Sequence, residues 1–393
     1  MKLLFDLNSL RPPRSGIGYY TQHLLEGLSA LPDVDDIAGW AADRRFYGEE
    51  FDAVVRGEMD LWKAIPPSSE KPVGLINRLK NWPAIQPLRT AVHRRKSKDL
   101  RRDFARSGYI YHETNFIASR YKGPTVVTVH DVSHVPHPEF QARVTVEYLN
   151  RHLPGSLKQA QVIIADSLYT KKDLVEIYRV PEQKVVPIHL GVEASFRPYP
   201  NEVCLPVLEA LGLKRGGFVL SVCTLQPRKN LPRLVQAFAK LPADMRQTFP
   251  LVLIGADGWQ NSELLTLIEP LLESREAVMP GYLRRDDLLK LFASAAVFAY
   301  PSLYEGFGLP VAEAMASGVP VLTSNLTSIP EVCAGAALEV DAYSVEDIAS
   351  GLQRLLSDST LRDQLVQKGL RRAAELTWES TVAQTCSVYR SLI

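Results

Sequence analysis

The sequence predicts an α/β protein with two domains, each a doubly wound parallel sheet with helices on both faces. Short apolar runs alternate with helical segments along most of the 393 residues, which is the pattern of βαβ units. The alternation stops at a stretch that contains Pro198 and Pro200, and then starts again. Because the length also suits two domains of ordinary size, we expect domains over residues 1–197 and 203–376 and a last helix over 377–393.

Apolar runs in the first half predict five strands. A loop that contains Gly16 and Gly18 separates the first strand from the first helix. Strand, glycine loop and helix form an arrangement that binds phosphate, although a tight turn between two elements explains the same residues. Residues 43–108 give no clear pattern. The predicted strands are 2–7, 109–112, 125–130, 162–165 and 184–188, and the predicted helices are 15–31 and 167–178.

The second half repeats this alternation. Parallel strands with crossover helices place their carboxyl ends at one edge of the sheet, where open α/β sheets bind ligands. Loops that follow strands are therefore where functional residues are expected. The predicted strands are 217–223, 250–255, 295–299 and 320–323, and the predicted helices are 231–241, 261–272, 345–356, 361–376 and 378–392.

Composition and charge exclude several classes of protein. The chain is 46% hydrophobic and 23% charged with a net charge of +1, so no overall positive field indicates nucleic acid. No apolar run approaches the roughly 20 residues that cross a bilayer, so we expect a soluble or peripheral protein. Four distant cysteines fit reduced thiols. Neither they nor His134 and His137 have the spacing of a metal site, and we expect no metal.

One segment of the second half combines two carboxylates, Glu305 and Glu313, with Gly306 and Gly308 between them. A predicted strand precedes it, and Pro310 suits the first turn of a following helix. Unpaired N–H groups at a helix start attract phosphate, and carboxylates accept hydrogen bonds from sugar hydroxyls. The segment therefore suits a nucleotide sugar. A buried strand–loop–helix joint with two solvated glutamates is the simpler alternative.

Charged residues follow two other predicted strands. Arg228 and Lys229 stand side by side between a strand and a helix, where two cations would neutralise a diphosphate. An adjacent pair of this kind is usually solvated when it occurs alone. His130 and Asp131 end the strand at 125–130, at the edge where such sheets bind ligands. A lone histidine is more often structural than catalytic.

The string EGFGLPVAE, which runs from Glu305 to Glu313, resembles the E-x7-E motif of retaining glycosyltransferases of family four, which have the GT-B fold. The similarity covers most of the chain and is weak only at residues 43–108. The resemblance implies two Rossmann-like domains that face each other across a cleft. The C-terminal domain would hold the nucleotide sugar, the N-terminal domain would hold most of the acceptor, and the last helix would cross back to the first domain.

The resemblance also implies a role for each motif residue. Glu305 would contact the donor sugar, and Glu313 would hold the ribose. Arg228 and Lys229 would stabilise the leaving diphosphate, and His130 would contact the sugar or lie beside the reacting carbon. Transfer with retention would need no metal or other cofactor, and we name no enzymic general base. Donor contacts are also implied for Gly16, Gly18, Thr224, Tyr282, Leu283, Phe307, Gly308 and Leu309.

Residues 5–22 and the strand that ends at Asp131 look most like bacterial mannosyltransferases of surface polysaccharide, such as lipopolysaccharide O-antigen. This similarity implies GDP-mannose as the donor and a saccharide or lipid-linked oligosaccharide as the acceptor. The alternatives are a UDP-hexose-dependent transferase, a nucleotide-sugar epimerase or phosphorylase with the same fold, and a non-catalytic protein that binds nucleotide sugars.

Residues 89–106 are strongly basic, with eight arginines and lysines against Asp99 and Asp103. A helix with Leu100 and Phe104 on its apolar side would lie on an anionic membrane surface. A solvated charged helix is the alternative. We expect a cytoplasmic protein that meets the cytoplasmic face of the inner membrane through this stretch.

Overall fold

Two separate sheets, one in each half of the chain, confirm the predicted α/β architecture. The computed structural model describes residues 1–12, 14–41, 44–59, 101–255, 262–281 and 283–393. In each sheet the strand that comes first in the sequence lies in the interior, and the later strands are added first on one side of it and then on the other. This is the doubly wound arrangement, with crossover helices on two faces.

The strands of the first sheet, within the described residues, are β1 (Lys2–Asp6), β2 (Asp36–Ala41), β3 (Arg44–Phe46), β4 (Tyr109–Glu113), β5 (Thr125–Val129), β6 (Val162–Ala165) and β7 (Val185–Pro187). Their order is β3-β2-β1-β4-β5-β6-β7, and all neighbours are parallel except the antiparallel pair β2 and β3. The five strands predicted for this half are confirmed. The sequence did not predict β2 and β3, which form one edge of the sheet.

The strands of the second sheet, again within the described residues, are β8 (Val219–Val222), β9 (Leu251–Ile254), β10 (Ala277–Gly281), β11 (Val297–Tyr300), β12 (Val321–Ser324) and β13 (Leu338–Val340). Their order is β10-β9-β8-β11-β12-β13. Strands β9, β11 and β12 are buried along their whole length, as expected for parallel strands covered on both faces. The four predicted strands of this half are confirmed.

The helices surround these sheets. Helix α3 was not predicted, and it contains Pro154, a residue that usually disfavours a helix interior. Among the helices described, none is long and apolar enough to cross a membrane. The helices are α1 (Gly16–Ser29), α2 (Gly48–Arg56), α3 (Arg143–Gln159), α4 (Leu168–Tyr178), α5 (Asn201–Ala210), α6 (Leu231–Ala239), α7 (Ala243–Thr248), α8 (Ser262–Glu273), α9 (Arg285–Phe292), α10 (Leu309–Ala316), α11 (Ile329–Cys333), α12 (Val345–Ser357), α13 (Ser359–Ala373) and α14 (Trp378–Arg390).

The described end of the basic stretch, residues 101–106, is helical. Phe104 is only 3% exposed, and its ring makes an edge-to-face contact with Tyr109 at 4.9 Å between centroids. The guanidinium of Arg101 lies over the ring of Trp40. The expectation that Phe104 faces a membrane is therefore wrong, because this side chain belongs to the core of the first domain. Residues 89–100, which include Leu100, lie outside the described residues.

Helix α14 carries the end of the chain back to the first domain. The hydroxyl oxygen of Tyr389 lies 2.6 Å from Nδ1 of His112 in β4, and both side chains are fully buried. At the start of α14, the backbone of Trp378 packs directly against Gly191, where a Cβ atom would overlap the Trp378 nitrogen. Only glycine permits this approach. A backbone-to-backbone contact therefore fixes the position of α14.

Gly191→Ala should destabilise the protein, because the new methyl group would overlap the backbone at Trp378. Overpacking of a close contact costs about 1–3 kcal/mol, and we expect the free energy of unfolding in urea to fall within that range. Gly155→Ala is the matched control, since a Cβ at this position in α3 meets no atom within 4 Å and helices favour alanine over glycine. Equal stability of the two variants would contradict the contact.

Candidate active site

A cavity of about 880 Å³ opens between the domains, at the carboxyl edges of both sheets. Ligand sites of small molecules have volumes in this range. The cavity brings together most residues that the sequence singled out: Gly16, His130, Thr224, Arg228, Glu305, Phe307, Gly308 and Leu309 line it. Gly18, Lys229, Leu283 and Glu313 are not lining residues, and Tyr282 lies outside the described residues.

Strand β11 ends at this cavity and helix α10 begins there, as predicted. Gly308 is the N-cap of α10 and has a φ of 97°, a left-handed conformation that glycine adopts without strain. Pro310 occupies the first turn of the helix. The backbone N–H groups of Phe307, Gly308 and Leu309 bond to no acceptor within the described chain. They are therefore available to an anion in the cavity.

The Glu305 carboxylate bonds to both members of the Arg228-Lys229 pair. Arg228 Nη1 donates to Oε2 at 2.7 Å, and Lys229 Nζ donates to Oε1 at 2.6 Å. The hydroxyls of Tyr300 and Ser302 also donate to Oε1, at 2.9 and 2.6 Å. We call these five residues the cation cluster. Its two cations face one carboxylate, so the cluster carries an excess positive charge.

Burial disfavours the charged forms of the residues in the cation cluster, and the ion pairs counteract this effect. Burial raises the pKa of Glu305, but the attraction of Arg228 and Lys229 exceeds this effect and lowers the pKa to about 2. Burial, and then repulsion from Arg228, lower the pKa of Lys229, which Glu305 counteracts in part. Glu305 is thus ionised at neutral pH, and its charge allows the buried Lys229 to lie beside the partly exposed Arg228.

Asn230 fixes the turn that presents the two cations. It has a φ of 60°, in the left-handed region, and follows a short 3-10 helix over Pro227–Lys229. Its Nδ2 donates to the carbonyls of Pro301 at 2.9 Å and Ala342 at 2.7 Å. The turn is therefore anchored to the loop that carries Glu305. The sequence analysis missed Asn230, although asparagine between a turn and a helix is a known signal for a left-handed residue.

His130 lies on the opposite side of the cavity, with both ring nitrogens bonded. Nδ1 is 2.8 Å from Asp166 Oδ2, and Nε2 is 2.8 Å from the carbonyl oxygen of Thr114, which can only accept. Burial lowers the pKa of His130, but the Asp166 carboxylate and the hydrogen bonds exceed this effect, so the pKa is raised. These partners favour an imidazolium with two N–H donors. The sequence analysis missed Asp166, which holds this ring.

Gly306 is where the loop after β11 touches the first domain. A Cβ atom here would overlap the carbonyl oxygen of His130, so the approach of the two backbones requires glycine. The Gly306 carbonyl accepts hydrogen bonds from Ser167 Oγ at 2.7 Å and Thr170 Oγ1 at 3.3 Å. The two sides of the cavity therefore meet at a residue inside the motif segment.

Glu331 of α11 caps the start of α4, which belongs to the first domain. Its two carboxylate oxygens accept from the backbone N–H groups of Leu168 at 2.9 Å and Tyr169 at 3.3 Å. Oε1 also lies 2.6 Å from His189 Nε2. A carboxylate is favoured at a helix N-terminus by the partial positive charge there. Glu331 thus adds a second polar link between the domains.

The two glycines of the first loop have different surroundings. Gly16 lines the cavity, and a Cβ there would meet no atom within 4 Å. At Gly18 a Cβ would lie 2.7 Å from the carbonyl oxygen of Ser9, and the backbone N–H donates to the helix-capping Ser15 Oγ at 3.4 Å. Gly18 is therefore required by packing, and its N–H is already bonded.

Two family models and a full-length relative match this chain. The model described as Glycosyltransferase Family 4 matches residues 14–196, and the model described as Glycosyl transferases group 1 matches residues 209–372. O-antigen chain mannosyltransferase B of Escherichia coli is 32% identical over 396 residues, which is 100% of this chain and 100% of that protein. The chain belongs to glycosyltransferase family 4.

Other proteins are similar to this glycosyltransferase over part or all of its length. The serotype-specific mannosyltransferase WbdA of Escherichia coli is 31% identical over 60% of this chain and 29% of that protein. The solved structures of HepE from Anabaena and sucrose-phosphate synthase from Thermosynechococcus elongatus superpose on 100% of this chain and 100% and 99% of theirs. Their TM-scores are 0.71 and 0.70, at 16% and 18% identity, so they show a shared fold.

A second cavity of the glycosyltransferase, of about 770 Å³, lies between α1 and α14. Its lining is mainly apolar and includes Trp378 and Val382, with His23 stacked on the Trp378 ring. None of the motif residues lines it. The cavity between the domains is therefore the candidate active site, because His130, Arg228, Glu305 and the unbonded N–H groups converge there.

Glu313 lies on α10 one turn after Leu309, and no side-chain hydrogen bond to its carboxylate is present within the described chain. Burial raises its pKa to about 7, an effect that Arg285 opposes and Glu193 reinforces. Arg285 is itself paired with Glu193. A carboxyl group without a protein partner has capacity for ribose hydroxyls, and that assignment stays a prediction.

The raised pKa of Glu313 predicts a pH-dependent effect of Glu313→Gln on the stability of the glycosyltransferase. Because the folded-state pKa of about 7 exceeds the unfolded value of 4.5, ionisation opposes folding increasingly as the pH rises from 4.5 to 7. Glutamine removes this penalty. We expect the variant to be more stable by on the order of 2 kcal/mol at pH 8 and nearly equal at pH 4.5.

Urea unfolding of Glu313→Gln at the two pH values provides the measurement. Glu263→Gln, at an exposed position of α8, is the control and should show no such trend. A stability difference between Glu313→Gln and the native enzyme that does not change with pH would contradict the assigned pKa.

Proposed function

We propose that this glycosyltransferase transfers mannose from GDP-mannose to a saccharide acceptor in the synthesis of a bacterial surface polysaccharide, with retention at the anomeric carbon. One observation carries the proposal. The cation cluster holds an excess positive charge beside three unbonded N–H groups, at residues 307–309, on the same side of the cavity. Such a surface is suited to a diphosphate that bears a sugar.

The step that the cation cluster assists is departure of the diphosphate. As the bond between the anomeric carbon and the phosphate oxygen breaks, negative charge grows on that oxygen, and fixed cations stabilise it where it forms. Arg228 is oriented for this role by hydrogen bonds from Nε to Gln226 Oε1 and from Nη1 to the Tyr304 carbonyl, each 3.2 Å long. Lys229 contributes its charge from the buried side of the cluster.

We assign no side chain as general base. A phosphate oxygen on the face where the acceptor enters takes the proton of its hydroxyl, and the fixed cations make a metal unnecessary for charge stabilisation. The main task of Glu305 is then to hold the two cations. Its Oε2 accepts one hydrogen bond, from Arg228, and a carboxylate oxygen can accept two. Because Oε1 already accepts three hydrogen bonds, Oε2 is the atom through which Glu305 would contact one hydroxyl of the donor sugar.

The relatives support the choice of mannose and of a surface polysaccharide. The similar protein that spans the full length is named an O-antigen chain mannosyltransferase, and WbdA is also named a mannosyltransferase. We further propose action at the cytoplasmic face of the inner membrane on a lipid-linked acceptor. The basic composition of residues 89–106 supports this through attraction to anionic lipids, and among the described residues of this stretch Arg102 and Arg106 are exposed.

A donor screen tests the proposed function. GDP-mannose at about one hundred times its Kd should stabilise the enzyme by about 2.7 kcal/mol, while UDP-glucose should give no comparable shift in melting temperature. With methyl α-D-mannopyranoside as acceptor, proton NMR should show an α-linked product whose rate of formation is unchanged by EDTA.

Each alternative has its own signature in this screen. A shift with UDP-glucose alone would contradict the proposed donor, and conversion of GDP-mannose to another sugar nucleotide without acceptor would indicate an epimerase. Binding of GDP-mannose with no product from any mannoside would indicate a non-catalytic protein. A β-linked product would contradict retention.

A further inference from the structure

Three carboxylates of the first domain line the cavity and take no part in the proposed donor site. Asp6 ends β1, Glu113 ends β4 and Asp166 follows β6, and all three are lining residues. The strands are ordered β1-β4-β5-β6 in the sheet, and His130 follows β5. Asp6 and Glu113 are neighbours, because the preceding residues of their strands are paired in register. The groups thus form a row along the carboxyl edge of the sheet.

Asp166 supplies an independent sign that this edge binds a ligand. The residue is only 3% exposed, and its Oδ2 bonds to His130 Nδ1. Its Oδ1 is buried and has no hydrogen-bond partner. A buried acceptor without a hydrogen-bond donor lowers the stability of the fold. Since Asp166 lines the cavity, a ligand hydroxyl in the cavity can supply the missing donor.

Asp6 and Glu113 also keep unused capacity to accept hydrogen bonds. The carboxylate of Asp6 accepts from the backbone and side-chain nitrogens of Asn8 and from Trp40 Nε1. The carboxylate of Glu113 accepts from the Tyr111 hydroxyl and the Asn115 backbone N–H. Because a carboxylate offers about four acceptor positions, Asp6 keeps one and Glu113 keeps two. Hydroxyl groups suit these positions, since they donate without bringing charge.

The charge of this side of the cavity excludes an anionic ligand. The lining residues of the first domain include four carboxylates, at 6, 113, 131 and 166, and His130 as the positive group. Burial, followed by repulsion from Asp6, raises the pKa of Glu113. Burial also raises the pKa of Asp6, which Asn8, Trp40 and the more distant Arg101 oppose. A phosphate or carboxylate placed here would add to the repulsion, whereas an uncharged polyol would not.

The length of the row and the apolar surfaces of the cavity suit more than one sugar ring. Three strand spacings separate Asp6 from Asp166, which is roughly 14 Å at about 4.8 Å per spacing. Four aromatic rings of the first domain line the cavity, at Tyr20, Phe116, Phe140 and Tyr148, and Tyr148 is 53% exposed. Apolar faces with a few placed acceptors are typical of ligand sites. Within the described residues, no group of three or more His, Cys, Asp or Glu side chains could hold a metal ion. These carboxylates are therefore not explained as metal ligands.

We propose that the row of Asp6, Glu113 and Asp166 is the acceptor site, and that it takes the uncharged end of an oligosaccharide and rejects phosphorylated or carboxylated acceptors. This inference rests on the proposed function, because it names the substrate class of the same cavity. Asp166 Oδ1 accepts from the sugar nearest to the donor, beside His130. Asp6 and Glu113 accept from hydroxyls farther along the chain.

Saturation-transfer NMR and transfer kinetics test this proposal. The probes are methyl α-D-mannopyranoside, α-1,3-mannobiose and mannose 6-phosphate, with GDP-mannose as donor. The native enzyme should bind the uncharged sugars and discriminate against mannose 6-phosphate by at least about tenfold. Asp6→Asn and Glu113→Gln should each raise the KM for mannobiose about tenfold, the loss expected when one hydrogen bond to a charged group is weakened. The KM for GDP-mannose should stay within about twofold, because neither residue contacts the donor.

The double variant should also narrow the preference for mannobiose over mannose 6-phosphate to within about threefold, since the new amide groups carry no negative charge and can donate hydrogen bonds to a phosphate. Glu58→Gln, at an exposed carboxylate of the same domain, is the control and should match the native enzyme. Unchanged mannobiose binding in both single variants, or equal binding of mannose 6-phosphate by the native enzyme, would overturn the proposal. If GDP-mannose is not used but the variants still lose mannobiose binding, the proposed donor fails and the acceptor site stands.

Discussion

The ion pairs of Glu305 with Arg228 and Lys229 are the interaction on which the active site depends. Two cations that lie side by side, one of them buried, repel each other, and removal of their carboxylate would leave both uncompensated. Glu305 follows β11 and the cations follow β8, so these pairs also fix two loops relative to each other. Asn230 reinforces the arrangement through two backbone carbonyls. The positive charge is therefore in place before a ligand binds, which is the condition for electrostatic stabilisation of a leaving group.

The loop after β11 also determines how the first domain is placed opposite the cation cluster. Gly306 packs against the His130 backbone and is bonded to Ser167 and Thr170, so the motif segment is also a contact between domains. Across the cavity, the edge of the first sheet is acidic, and His130 there is bonded to the Asp166 carboxylate and the Thr114 carbonyl. A positive side for a diphosphate and an acidic side for uncharged hydroxyls are complementary to the two substrates of glycosyl transfer. In the proposed function, the charges therefore separate the donor from the acceptor within one cavity.

Sequence patterns predicted the parts of this structure that depend on local chemistry. Parallel strands buried on both faces are continuous apolar runs, so β9 and β11 were recognisable. The glycines before α10 and the proline in its first turn indicated a helix start. Asp166, unlike Asn230, was missed because its role depends on register between strands. Asp166 meets His130 only because Val129 is paired with Ala165, and a single sequence does not reveal which residues of two strands lie level. Phe104 shows the same limit. Its place on the apolar side of a helix was predicted, but the surface against which that side chain packs was not.

Comparison of two donors with different leaving groups tests the central claim directly. The kcat/KM of Arg228→Ala and Lys229→Ala should be measured with GDP-mannose and with α-D-mannosyl fluoride, which carries no diphosphate. Lys240→Ala, at a half-exposed lysine of the same domain, serves as the control. If the cations stabilise the departing diphosphate, the kcat/KM of both variants should fall by more than about tenfold with GDP-mannose and by less than about threefold with the fluoride. An equal loss with both donors would contradict a role in leaving-group departure.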